Sequence, residues 1–228
     1  MHDLSLNGIV RRYRNTTKPY FVRDIVGSNQ ISLRSALESI LFVLETTYDF
    51  EENCGGGHTF GGRAAYSQTW TSIIVRIRLI FDSAIPDTTR NNLMNTWQNA
   101  IESNWSFKWG CGHSGEATCR LIFKVQWTDN NPHHTVNVIV GPARSNSGKW
   151  DTMDTGDVVS HEFGHQLGLK DEYSAPTECP NRDPVNTGTI MDGNFLCFPS
   201  RLFSQFANNI GSQVMKIAEH THDTSVCT

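Results

Sequence analysis

An α+β fold is what this sequence predicts, on three observations. Short segments alternate with the period of a half-buried strand, one long amphipathic helix lies between the first two of them, and a shorter helix after them carries clustered histidine and acidic residues. Hydrophobic residues make up 38% of the 228-residue chain and charged ones 18%, with six Trp and twelve Phe. That composition suffices for one sizeable core and calls for no second domain.

In chain order, Leu33, Ala36, Leu37, Ile40, Leu41 and Leu44 recur at helical spacing, with Ser32 available as a cap, which predicts an amphipathic helix over Ser32 to Thr46. The stretch Asn53-Cys-Gly-Gly-Gly-His-Thr-Phe-Gly-Gly is too rich in glycine for regular structure and reads as a seam. Residues 1–65 are therefore expected to form an N-terminal extension and 66–228 the main domain, with the boundary near Tyr66. Beyond it, Val75, Ile77, Leu79 and Phe81 alternate with Arg76, Arg78 and Ile80, the pattern of a strand. Pro86 and Asp87 open a helix running towards Asn104, with Leu93, Trp97 and Ile101 on one face. Leu121, Phe123, Val125 and Trp127 mark a second strand and Val136 to Val140 a third. Trp105, Phe107 and Trp109 have strand spacing that would suit a sugar platform, but core packing is the commoner use of such side chains.

The formal net charge of -4 provides no broad basic field, which argues against nucleic acid or an anionic membrane as partner. A protein or peptide partner is compatible with it, and a monomer is expected. Six cysteines form an even set without a Cys-x-x-Cys pair, so disulfides and an oxidising compartment are the reading. Local pairs, Cys111 with Cys119 and Cys179 with Cys197, are the expected connectivity. Met1 to Arg12 lacks an apolar signal core, so export would follow removal of a leader or another delivery route. His113, His133, His134, His220 and His222 are expected to be solvated, as loop and terminal histidines usually are.

The chemistry lies in Ser160-His-Glu-Phe-Gly-His-Gln-Leu-Gly-Leu-Lys-Asp-Glu-Tyr173, where Thr155 or Asp157 can cap the helix start. Residues four apart share a helix face, so His161 and His165 aim both imidazoles at one point, with Glu162 beside them. Such a pair suits Zn2+, and a catalytic zinc needs only three protein ligands plus water. Gly168 stands where a left-handed cap would end the helix and turn the chain back, bringing Asp171 or its neighbour Glu172 to the metal; Asp171 is the favoured ligand. Glu162 would take the proton of the water. Asp151, Asp154 and Asp157 read as residues that cap and solvate the helix start, although a calcium site among them is conceivable.

This segment resembles the metzincin clan of zinc peptidases, whose long motif His-Glu-x-x-His-x-x-Gly-x-x-His ends in Asp in some families, the snapalysin-like ones among them. The His-Glu-Phe-Gly-His and Asp-Glu-Tyr blocks are also similar to those of bacterial peptidases that cleave immunoglobulin A. The resemblance spans roughly Thr71 to Phe206. It implies a zincin-like mixed, twisted sheet with an active-site helix, a long backing helix and a loop-rich C-terminal subdomain. It further implies a methionine turn beneath the metal, for which Thr189-Ile-Met191-Asp-Gly193 has the form. Many members carry a Tyr two residues after that Met, where Gly193 stands here; Tyr173 is the nearest replacement as a transition-state donor. Members lay substrate along an edge strand, which Val136, Val138 and Val140 would match. The implied activity is zinc-dependent endopeptidase cleavage of proteins, in a secreted enzyme or a delivered toxin. The rival is a disulfide-stabilised binding module, or an inactive peptidase with a structural zinc.

Overall fold

The computed structural model describes residues 43–113, 116–193 and 197–216. Its architecture is α+β, with two sheets and three α-helices among the described residues. No helix among them is long and apolar enough to cross a membrane.

The larger sheet has six strands: β1 (Leu44–Gly55), β2 (His58–Gln68), β3 (Ser72–Phe81), β6 (Ile122–Trp127), β7 (His134–Ile139) and β8 (Lys149–Asp151). Strand β3 is the hub, antiparallel to β2 through Ser67 and Gln68 and parallel to β6 and β7. The sheet is therefore mixed, as the parallel pairs need a crossover while β1 and β2 need only a turn. Between β3 and β6 runs α1 (Asp87–Trp105), which buries Trp97, Ile101 and Trp105. A smaller antiparallel sheet is made by β4 (Trp109–His113), β5 (Glu116–Arg120) and β9 (Gln213–Lys216). The second helix, α2 (Gly156–Gln166), carries the histidine motif, and a short α3 (Ser204–Asn209) follows two 3-10 turns at Ile190–Asp192 and Ser200–Phe203.

One core joins these parts, and aromatic rings dominate it. Trp105 sits at its centre, with Phe123, Phe163, Phe198 and Phe203 packed around it at centroid distances of 5.2–6.1 Å. Its indole N–H is not left unpaired, because Nε1 donates to Ser160 O at 2.9 Å. Trp109 is buried too and donates to Phe198 O, whereas Phe107 is exposed. Trp105 and Trp109 are thus core residues, and their stripe ends a helix and begins a strand instead of forming one platform.

Three expectations about local structure are corrected. Leu44 begins a strand, so the end of the helix expected over 32–46 is not helical, and the remainder of that segment lies outside the described residues. The long ladder of β1 against β2, from Leu44 opposite Gln68 to Gly55 opposite His58, outweighs helical spacing, because each strand residue gains a cross-strand partner. The glycine-rich seam is a hairpin: Gly55, Gly56 and Gly57 make the turn with positive φ, and Thr59 to Gly62 belong to β2. The boundary placed near Tyr66 consequently falls inside β2, a strand of the main sheet with Tyr66 in the core.

Cys54 is bonded to Cys179, across 125 residues of sequence, so the local pairing of Cys179 with Cys197 is wrong. Cys111 and Cys197 each take part in a disulfide as well. Cys111 stands opposite Cys119 in the β4–β5 ladder. His133 and His134 are not solvated turn residues. His133 Nε2 lies 3.1 Å from Glu45 and 3.3 Å from Ser67 Oγ, and His134 Nε2 lies 3.0 Å from Ala65 O, which together fasten the hairpin to the sheet. Burial drives the His134 pKa down to about 4, so this ring is a neutral hydrogen-bonding group at neutral pH. His220 and His222, and the side chain of His113, lie outside the described residues.

Candidate metal centre

The helix α2 is defined at both ends by local chemistry. Thr155 is its N-cap and accepts from Val158 N at 3.4 Å. At the other end Leu169 N donates to Gly164 O and Gly168 N to His165 O, the paired bonds of a Schellman motif, with Gly168 at φ +95°. A Cβ on Gly168 would lie 2.2 Å from the Tyr48 hydroxyl, so both the left-handed turn and the approach of β1 require glycine. The chain reverses here, and the sequence expectation for Gly168 is met.

The reversal delivers Asp171 to the two histidines. Asp171 Oδ1 lies 3.1 Å from His161 Nε2 and 3.2 Å from His165 Nε2. The far nitrogens face carbonyls: His161 Nδ1 donates to Ile190 O at 2.7 Å and His165 Nδ1 to Leu169 O at 2.8 Å. A carbonyl can only accept, so each Nδ1 carries the proton and, in the neutral ring, each Nε2 presents a lone pair. Two lone-pair nitrogens and a carboxylate oxygen therefore converge with nothing but acceptors facing one another. A cation is what such a set holds, and His161, His165 and Asp171 form a group able to bind a metal ion. With the rings protonated at Nε2 instead, they donate to Asp171: burial would raise its carboxyl, but the two imidazoliums outweigh it and hold the group far below the usual carboxylate range. Burial pulls the His165 pKa down, and the carboxylates of Asp171 and Glu162 more than reverse this.

Glu162 occupies the same face and is buried, and its Oε2 has no hydrogen-bond partner among the described residues. A buried, unpartnered carboxylate oxygen is costly, and such atoms concentrate at functional sites. Burial, the largest influence, raises its pKa above the ordinary value, which makes it a better base. Glu172, the alternative ligand, faces away: it accepts from Thr189 Oγ1 at 2.6 Å and from Arg201 at 2.7 and 3.0 Å. It ties the metal-side loop to the C-terminal region.

Met191 is fully buried in the 3-10 turn Ile190–Asp192, directly beneath α2. A Cβ on Gly164 would meet its Sδ at 2.4 Å, so the fourth residue of the motif must be small. The same turn supplies the carbonyl of Ile190 to His161 and that of Met191 to Glu172 N at 2.8 Å. From behind, Asn104 donates to Ser160 Oγ at 3.0 Å, so α1 backs the site helix.

The site opens into a cleft of about 800 Å³, lined on one side by Phe50, Glu52 and Phe60 of the hairpin and on the other by Arg144 to Ser147 and Lys149. Tyr173 and Gly193 line it as well. The Tyr173 hydroxyl accepts from Arg144 at 3.3 Å. The edge strand expected at Val136, Val138 and Val140 is corrected: β7 is paired on one side with β3 and on the other with β8. Val136 and Val138 are core side chains, and Val140 lies beyond the strand. A three-residue strand such as β8 shows no readable alternation, which is why its cover was missed. The segment facing the cleft is instead Arg144–Lys149, held by a bridge between Asn146 and Lys149 and by Gln166 Nε2 donating to Ser147 O.

Asp151 and Asp154 do not cap the helix, whose cap is Thr155; they brace the turn before it, Asp151 accepting from Met153 N and Ala143 N and Asp154 from Asp151 N, and Asp151 is buried instead of solvated. Glu52, Cys54 and Cys179 also cluster, but both sulfurs are spent in the disulfide and offer no thiolate. One residue that the sequence reading overlooked belongs to the site: Arg182, buried against Glu52 and 3.5 Å from Asp171 Oδ2. Its partners are 130 and 11 residues away, and no spacing rule reaches them. No protein-family model matches the chain, and no curated protein or solved structure is significantly similar to it.

Proposed function

We propose that the chain is a zinc-dependent endopeptidase of metzincin type, with His161, His165 and Asp171 as zinc ligands and Glu162 as general base. The observation that carries the reading is the meeting of three lone-pair donors beside the orphaned, buried Oε2 of Glu162. The separations of 3.1 and 3.2 Å are close to the roughly 3.3 Å edge of a tetrahedral site with bonds of about 2.0–2.1 Å. Imidazole donors disfavour calcium and magnesium, which prefer oxygen. A zinc ion held there would supply Lewis-acid polarisation of a peptide carbonyl and lower the pKa of water to about 7.

The chain's own residues do the rest. Glu162 takes a proton from the attacking water and delivers it to the departing amine, a relay that suits its raised pKa. The carbonyls of Ile190 and Leu169 keep each histidine in the tautomer that exposes Nε2. The open cleft between the hairpin and the Arg144–Lys149 segment accommodates an extended peptide, and backbone groups of that segment are the available pairing partners. Tyr173 lines the cleft and is the hydroxyl nearest in sequence that could steady the developing oxyanion. The disulfide suits work in an oxidising compartment, as a secreted enzyme or delivered toxin.

The test is metal analysis together with cleavage of an unfolded protein by wild type, Glu162→Gln and Asp171→Ala. Wild type should hold one zinc and cut, Glu162→Gln should hold zinc with activity reduced by about 10²–10⁴-fold, and Asp171→Ala should lose metal. Zinc bound without cleavage, unchanged by Glu162→Gln, would favour the binding module; iron in place of zinc would overturn the chemistry.

A further inference from the structure

We infer that Arg182 is the positioning residue for the third metal ligand: it holds Oδ2 of Asp171 and so turns Oδ1 toward the two imidazoles. This rests on the metal-centre reading above and deepens it. The two oxygens of Asp171 have divided surroundings, with Oδ1 facing His161 and His165 and Oδ2 facing Arg182 Nη2 at 3.5 Å. That is an ion-pair distance longer than a strong hydrogen bond, so Arg182 acts by charge and orientation.

Everything around the guanidinium keeps it in this pose. Its side chain is 2% exposed. Nε lies 3.3 Å from each carboxylate oxygen of Glu52, Nη1 donates to Tyr173 O at 3.0 Å, and the cationic carbon sits 4.4 Å from the centroid of the Tyr173 ring and 5.9 Å from that of Phe60. The planar fork is thereby used on three sides, which an ammonium could not do. Glu52 has a second role. A guanidinium close to a metal site would repel a dication, and Glu52 offsets that charge while leaving the orienting contact intact. The disulfide Cys54–Cys179 fixes the same two segments, two residues beyond Glu52 and three before Arg182. Without Arg182, Asp171 is a loop residue past the helix end whose Oδ2 has lost its cation, and the carboxylate is free to turn.

The experiment titrates zinc into apo-protein against a chromophoric chelator and records the visible spectrum of the cobalt-substituted protein, for wild type, Arg182→Gln, Arg182→Lys and Glu52→Gln. Arg182→Gln should lose about 10- to 100-fold in zinc affinity with an altered cobalt spectrum, as losses of outer-shell partners do. Arg182→Lys should recover part of the affinity by restoring charge, and Glu52→Gln should lose less than Arg182→Gln. If Arg182→Gln does not fold, Arg182→Lys decides: wild-type affinity and an unchanged cobalt spectrum in that variant would overturn the positioning role of the planar fork. Wild type that binds no zinc would sink the metal centre itself, whereas a wild type that binds and folded variants that bind equally well would sink only the role of Arg182.

Discussion

The candidate metal centre has two halves built on different principles. One is the helix Gly156–Gln166, which places His161, Glu162 and His165 by nothing more than its own register. Capping by Thr155 and the Schellman turn at Gly168 involve residues within a few positions of the helix. The other half is the loop from Asp171 to Asp192, which contains no α-helix or strand among its described residues. Its acidic residue Asp171 is paired with Arg182, and the segment is tied down by an Arg182–Glu52 contact spanning 130 residues and by a disulfide spanning 125. A helix satisfies its backbone internally, whereas an irregular loop must be organised by side chains from elsewhere. The comparison teaches that half the site should survive the loss of distant anchors and half should depend on them.

The largest expected effect tests the distant anchor. Replacing Cys54 and Cys179 together by Ser should cost about 4–5 kcal/mol in denaturant unfolding, because the loop closed is long. Metal affinity should fall as well, since Arg182 lies in the segment released. A double variant as stable as wild type, with zinc held equally tightly, would show that the loop half organises itself.

A smaller effect lies where the halves meet. Gly164→Ala would push a Cβ against Met191 Sδ and come within 3.2 Å of Trp105 Cζ2. Helix propensity favours alanine by about 1 kcal/mol, and overpacking costs about 1–3 kcal/mol, so a net loss of up to about 2 kcal/mol is expected. Thermal unfolding that shifted upward would mean that the methionine turn yields readily and does not clamp the helix. The smallest effect belongs to the local half alone. Thr155→Ala removes a long capping bond and should lower stability by about 0.5–1 kcal/mol while leaving zinc affinity unchanged. A marked fall in affinity there would break the comparison, because it would make the helix half as dependent on its surroundings as the loop.

What could be read in the sequence divides along the same line. The strand at Ser72–Phe81, the helix at Asp87–Trp105 and the strand at Ile122–Trp127 were legible because alternation and helical spacing persist over enough residues. The hairpin of β1 and β2 was not, because glycines at 55–57 and 61–62 look like loop when their cross-strand partners are unknown. Its roles in lining the cleft and supplying Glu52 were hidden with it. Val136 to Ile139 is strand, as the alternation predicts, with Val140 beyond its end, but it is not an edge, since edge or interior is decided by a neighbour, β8, of three residues.

By itself the sequence determined the histidine-bearing helix: the spacing of His161 and His165, the proximity of Glu162 and the glycine that ends it follow from 3.6 residues per turn and the backbone freedom of Gly168. Only the tertiary structure decided which acidic residue turns to the histidines, Asp171 with Arg182 behind it or Glu172 held by Arg201 and Thr189. The physical reason is range. Register is set by backbone bonds four residues apart, whereas the direction of a loop carboxylate is set by charges that the fold brings together from 11 to 130 residues away.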